Sequence, residues 1–308
     1  MTDALPPDNA YHDDIASEQE RCFGMKNIAH PAAVKQPKFV SGTTGVAATA
    51  PASAQTGQYS LGSILGLWLL AAAPMGLLAW VVFPALAGRV NMHPGLLLWG
   101  LMIAGLMWQA VLSLIILYRE TGTLNLDAIR HRTWRQRPRD PITGQPRARL
   151  WLWLPVFAVL VAVVEFVVSP LLGEAWTAAL PFLAEPAGYS LEILLDTPAQ
   201  WVGAWYLLGL WLLQFVGNYL LGEEFLFRSV LLPKMEGVFG RWDWLANAVL
   251  FGLYHLHKPW HIPSSIITGI LYTYPSRRFR SAWFGVILHG ADGVFFLYMM
   301  LGLVLGLT

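Results

Sequence analysis

The chain has 308 residues, 56% of them hydrophobic and 13% charged, with a mean hydropathy of +0.49 and a formal net charge of +1. Soluble domains are roughly half apolar and a quarter charged, so the composition excludes an ordinary water-soluble globule, and the near-neutral charge argues against a nucleic-acid partner. A single cysteine, Cys22, rules out an intrachain disulfide.

In chain order, residues 1–60 begin with acidic and polar residues and end in a Gly, Ala, Ser, Thr and Pro stretch, with no basic start followed by an apolar core. Such a segment buries too little apolar surface to offset its ordering entropy. It reads as a disordered tail without a secretory signal. Five apolar stretches then reach spanning length, about 20 residues: 61–86, 94–118, 150–172, 202–221 and 283–307. Two shorter stretches, 244–256 and 262–274, read as helices protected by neighbours. The expected fold is all-α, a polytopic transmembrane helix bundle of about seven spans. Its expected domains are the tail (1–60), the first three spans with a basic loop at 119–149 (61–199), and a C-terminal bundle (200–308).

Lys and Arg in short loops mark the cytoplasmic side. The loop between the second and third spans holds Arg119, Arg130, Arg132, Arg135, Arg137, Arg139, Arg147 and Arg149, whereas residues 173–200 hold no Lys or Arg. Alternation then puts the N-terminus in the cytoplasm and the C-terminus outside, in a plasma membrane. The basic loop itself most simply supplies this signal and touches anionic lipid.

Ionisable groups at membrane depth are costly and usually mark function. Glu223 and Glu224 end the fourth span, and Glu224 stands four residues before Arg228, on one helix face. Asn247, Phe251 and His255 are four apart and form one ridge. His289 and Asp292 share a face of the last span, and Glu165 interrupts the third. A solvated helix end would account for the two glutamates singly, and a buried structural pair for His289 and Asp292. Together, a carboxylate, two imidazoles and further polar groups on separate helices match what water activation and oxyanion stabilisation require.

Glu-Glu-x-x-x-Arg at 223–228, Phe-x-x-x-His at 251–255 and a later His with an acid resemble the signature of the CPBP family of intramembrane proteases, which includes the type II CAAX prenyl endopeptidases and bacteriocin-processing proteins. The resemblance covers about residues 200–308. It implies Glu223, His255 and His289 as catalytic residues, with Glu224 and Arg228 completing the first motif. One position departs from the pattern: the family places Asn, sometimes Asp, four residues after its last His, and here that residue is Gly293, with Asp292 one residue early. An ionised Asp cannot donate to an oxyanion; Asp292 is therefore protonated, or it orients His289, or Asn247 supplies the donor.

The expected reaction is hydrolysis of a membrane-anchored protein or peptide, with Glu223 as general base. No cofactor is expected on this reading; a zinc version would use Glu223, His255 and His289 as ligands, although the close-spaced His-Glu-x-x-His pair is missing. His257 and His261 read as loop histidines, since Pro259 between them breaks a helical ligand pair. The rival classes are a non-catalytic immunity or scaffold protein of the same fold and a proton-coupled transporter, for which no inverted repeat is visible.

Overall fold

The computed structural model describes residues 57–307, and all regular structure within them is helical apart from one isolated bridge between Arg139 and Pro146. The expected disorder of residues 1–56 lies outside the described residues. Residues 57–59 run along the turn after the glutamate motif, where Tyr59 N–H donates to the Lys234 carbonyl at 2.9 Å and the Lys234 ammonium to the Gly57 carbonyl at 3.1 Å.

Four helices are long and apolar enough to cross a membrane: α1 (Leu61–Leu86), α2 (Pro94–Thr121), α4 (Ala148–Ala179) and α9 (Trp283–Leu305). The chain is an integral membrane protein. A short α3 (Leu126–Arg132) lies between α2 and α4. The other three expected spans form shorter helices. α5 starts at Tyr206 rather than 202 and runs Tyr206–Phe215 before a π-helical turn, Val216–Leu221. α7 (Asp243–Tyr254) has 12 residues and α8 (Ile262–Arg278) has 17. At 1.5 Å per residue α7 is about 18 Å long, well under the bilayer's apolar thickness of about 30 Å. Its Asn247, Ala248, Phe251 and Tyr254 are all buried, so neighbouring helices, rather than lipid, surround that face.

Backbone satisfaction explains how such short pieces hold together. Indole N–H groups from the long helices reach across to carbonyls around α7: Trp68 to Leu250 at 2.7 Å, Trp80 to Leu256 at 2.9 Å and Trp176 to Pro259 at 3.1 Å. In an apolar medium an unpaired carbonyl is expensive, so these indoles fix the loop 255–261 to the first and third spans.

Two arginines of the basic loop have a structural task that the positive-inside pattern does not reveal. Arg132 pairs with Glu120 at 2.6 Å and donates to the Val230 carbonyl at 3.1 Å. Arg135 donates to the Leu220 carbonyl and lies over the Phe225 ring at 4.4 Å. Both brace the glutamate segment from outside.

Candidate active site

The chain breaks at Gly222, between the π turn of α5 and a second π-helical segment, α6 (Phe225–Leu231). A Cβ at Gly222 would stand 2.0 Å from the Gly217 carbonyl oxygen and 3.0 Å from that of Leu106; only glycine lets the strand of chain pass so close to α2. The break changes the register of the following residues, and insertions of π geometry recur at functional sites.

Glu224 is fully buried and its Oε1 serves two partners: His289 Nδ1 at 2.9 Å and Arg228 Nη1 at 3.0 Å. The expected Glu224–Arg228 pair is therefore present, though the guanidinium N–H directions miss the carboxylate, and none of its three nitrogens makes an aligned hydrogen bond. The guanidinium instead lies 3.8 Å above the Phe251 ring, a desolvated cation–π contact. Gly285 makes room for Glu224, because a Cβ there would meet Oε2 at 2.3 Å.

Phe251 is the common wall of both histidines. The rings of His255 and His289 stand edge-on to it, at centroid distances of 4.9 and 5.9 Å. His255 Nδ1 lies 2.9 Å from the Phe251 carbonyl oxygen. A carbonyl can only accept, so Nδ1 carries the proton and Nε2 presents a lone pair. For His289 the carboxylate of Glu224 plays the same orienting part and again frees Nε2. Glu224, rather than Asp292, thus orients His289.

Asp292 accepts from the Tyr272 hydroxyl at 3.1 Å, and the Tyr272 ring stacks on His289 at 4.9 Å. The missing residue at 293 has a steric cause. A Cβ on Gly293 would lie 2.3 Å from the Tyr219 ring and 2.7 Å from that of Phe215, so α9 meets α5 too closely there for any side chain. Asn247 does not face the histidines with its donor; its amide nitrogen donates to the Phe227 carbonyl at 2.8 Å and its oxygen accepts from Thr273 at 3.3 Å. It ties α7 to α6 and α8.

Two cavities meet at this cluster. One, of about 190 Å³, is lined by His255, His289, Asp292, Tyr272 and Glu165. The other, of about 360 Å³, is lined by Glu223, Asn218, Gln214 and His257. Lys258 and His261 line both. Glu223 is 5% exposed, and its neighbour is the Tyr254 hydroxyl, which accepts from Gln109 at 2.6 Å.

Zinc bound by protein requires donors converging on one point at about 2.0–2.2 Å. Among the described residues no three His, Cys, Asp or Glu side chains converge in that way. Glu223, His255 and His289 as placed do not fit a zinc ligand set, and the metalloprotease reading finds no support.

Residues 200–295 match the family model for Rce1-like type II CAAX prenyl endopeptidases. The matched segment holds all of Glu223, Glu224, Arg228, Asn247, Phe251, His255, His289 and Asp292, and leaves the first three spans outside. No curated protein and no solved structure matches the chain.

Four of the residues lining these cavities lie outside the motifs, His257 and Lys258 after α7, Tyr272 on α8 and Glu165 on α4, and Tyr254, at the end of α7, lies beside Glu223. Glu165 alone left a signal in the sequence, an acid within Val-Val-Glu-Phe-Val-Val. It sits on the π-helical turn Val164–Val168 and lines the cavity of the two histidines.

Proposed function

We propose that the protein is an intramembrane endopeptidase that hydrolyses a peptide bond of a membrane-anchored protein or peptide without a metal, with Glu223 as the general base. Glu223 takes one proton from a water whose other hydrogen is accepted by His255 Nε2. The resulting hydroxide attacks the carbonyl carbon, and the negative charge that develops on the carbonyl oxygen is met by the Nε2–H of a doubly protonated His289, whose Nδ1–H donates to Glu224. Glu223 then returns the proton to the leaving amine as the C–N bond breaks.

The observation that carries this reading is the unequal treatment of the two adjacent glutamates. Glu224 is committed to Arg228 and His289, whereas Glu223 faces a cavity. A base must keep a lone pair free for its proton, and a carboxylate held by a guanidinium and an imidazole does not. The match of residues 200–295 to a prenyl endopeptidase family supports a lipidated chain terminus as substrate. On this reading the shorter helices α5, α7 and α8 complete a bundle of about seven spans, with the glutamate motif near the cytoplasmic face of the plasma membrane.

Glu223→Gln keeps the shape and removes the base. Cleavage of an S-farnesylated peptide, or of native substrates found by comparing membrane proteomes with and without Glu223, should fall by about 10²–10⁴-fold, with unfolding temperature unchanged in detergent. Full activity in Glu223→Gln would sink the proposal, and a full biological effect without cleavage would favour a scaffold. Activity that survives exhaustive chelation agrees with the metal-free form; loss restored by zinc would overturn it.

A further inference from the structure

Away from the cavities of Glu223 and the histidines, three arginine-bearing stretches of chain meet around a further cavity of about 450 Å³. Arg139 comes from the basic loop, Arg241 from the turn before α7, and Arg277, Arg278 and Arg280 from the end of α8 and the turn after it. Of the loop's eight arginines only Arg139 lines this cavity, which therefore forms where the loop folds onto two other segments. It shares no lining residue with the cavities of Glu223 and the histidines.

The seam is firmly stitched. The Arg139 N–H donates to the Phe279 carbonyl at 2.8 Å, the Ala282 N–H to the Trp134 carbonyl at 2.9 Å and the Ser281 hydroxyl to the Gln136 carbonyl at 2.6 Å. Arg280 is held within it at a φ of 46°, in the left-handed region that side chains disfavour and glycine enters freely. Such strain persists only where the surrounding structure imposes it.

The charges around the cavity do not balance. Arg277 is taken by Asp243 at 2.6 Å and Glu236 at 3.3 Å, and Asp140, the acid that lines the cavity, is taken by Arg147 at 2.9 Å. Among the described residues no carboxylate lies within 4.0 Å of Arg139, Arg241, Arg278 or Arg280. Arg139 reaches only neutral acceptors, the Gly144 carbonyl at 3.0 Å and the Gln136 side chain at 3.1 Å, and its buried Nε has no partner. Guanidinium groups gathered in one concavity repel one another, and an anion with several acceptor oxygens, above all a phosphate, matches their fork geometry. The same cavity is lined by Trp244, Tyr274 and Ile142, the last 92% exposed. Aromatic rings of this kind sit at headgroup level in membranes, so the occupant has an apolar part beside its charge.

We infer that this cavity binds the phosphate headgroup of an anionic phospholipid, with Arg139, Arg278 and Arg280 on the phosphate oxygens and Ile142, Trp244 and Tyr274 against the glycerol. Basic pockets between helices at the cytoplasmic face suit such headgroups, and all five arginines belong to segments that the Lys and Arg pattern assigns to that face. A bound headgroup clamps the basic loop to the start of α7 and the end of α8, and so stabilises the bundle without touching the reacting atoms.

The full chain in a neutral detergent is titrated with dioleoylphosphatidylglycerol or dioleoylphosphatidylcholine, with bound lipid counted by native mass spectrometry and the unfolding temperature read in parallel. Phosphatidylglycerol should bind at least tenfold tighter and raise the unfolding temperature. Arg278→Gln with Arg280→Gln should bring the two lipids within threefold. Arg119→Gln with Arg149→Gln, at exposed loop positions that do not line the cavity, should leave the preference within twofold of the parent's. Arg280→Gly separates binding from folding: it relieves the strained φ, so the unfolding temperature without lipid should not fall, while the preference should drop at least threefold. An equal loss in the Arg119→Gln, Arg149→Gln protein would mean diffuse attraction and overturns the proposal, as does a preference that survives Arg278→Gln with Arg280→Gln. Displacement of the lipid by millimolar inorganic phosphate would make the occupant a soluble anion and overturns the lipid as ligand.

Discussion

The two faces of the Glu223–Glu224 dipeptide are built on opposite principles. On the Glu224 side the charged groups are packed against one another: one carboxylate oxygen holds an imidazole and pairs with a guanidinium, the guanidinium covers Phe251, and the Phe251 carbonyl fixes His255. On the Glu223 side there is space, about 360 Å³, with His257, Lys258 and His261 on its wall alongside apolar side chains such as Met75, Leu106 and Trp260. The saturated side holds geometry, and the open side is where a reacting molecule can enter. Adjacent residues of identical chemistry take these different parts because successive helical positions point about 100° apart, and after the break at Gly222 one side chain faces the buried Arg228 and His289 and the other the cavity.

That contrast can be broken from either side. The largest effect on activity is expected from Glu223→Gln, a fall of about 10²–10⁴-fold with stability intact, whereas Glu224→Gln should lose stability as well as activity. Next comes Arg228→Met, which leaves a fully buried carboxylate with only His289 for a partner. Breaking a buried ion pair by removing one member costs about 3–5 kcal/mol, so the unfolding temperature in detergent should drop sharply while Glu223→Gln leaves it in place; equal unfolding temperatures would mean the Glu224 side is not a scaffold.

A smaller loss tests the close meeting of α5 and α9. Gly293→Asn restores the residue type common in the family motif, but it must push aside the Tyr219 and Phe215 rings. Overpacking of this kind costs about 1–3 kcal/mol, and no gain in activity is expected; an active, stable Gly293→Asn would show that the rings yield freely. The smallest effect belongs to Tyr272→Phe, which removes the hydroxyl bonded to Asp292. A net loss of about 1 kcal/mol is expected, with His289 still held by Glu224 and cleavage reduced only a few-fold. A fall as deep as that of Glu223→Gln would transfer the oxyanion role to Tyr272.

The contribution of the N-terminal spans is of another kind. They lie outside the family match, yet Trp68, Trp80 and Trp176 hold the carbonyls around the histidine loop, and Arg132 and Arg135 brace the glutamate segment. In the sequence Arg132 and Arg135 read only as part of a positive-inside loop, because composition records where a side chain can live and not which distant carbonyl it satisfies.

The membrane class, the four long helices expected at 61–86, 94–118, 150–172 and 283–307, and the residues of the Glu and His motifs were legible in the sequence, because hydropathy and spacing along one chain are local properties; the second and third helices run on to Thr121 and Ala179. The Glu224–Arg228 pair was legible too, being four residues apart. The partner of His289 was not: it lies 65 positions away, and spacing along α9 offers only the nearer acid, Asp292, for which orienting His289 is one of several roles. Nor could spacing reveal that residue 293 has no room, that the donor of Asn247 is used by Phe227, or that Lys258 stands between the two cavities. Those depend on which helix faces press together, and only the packed tertiary structure decides that.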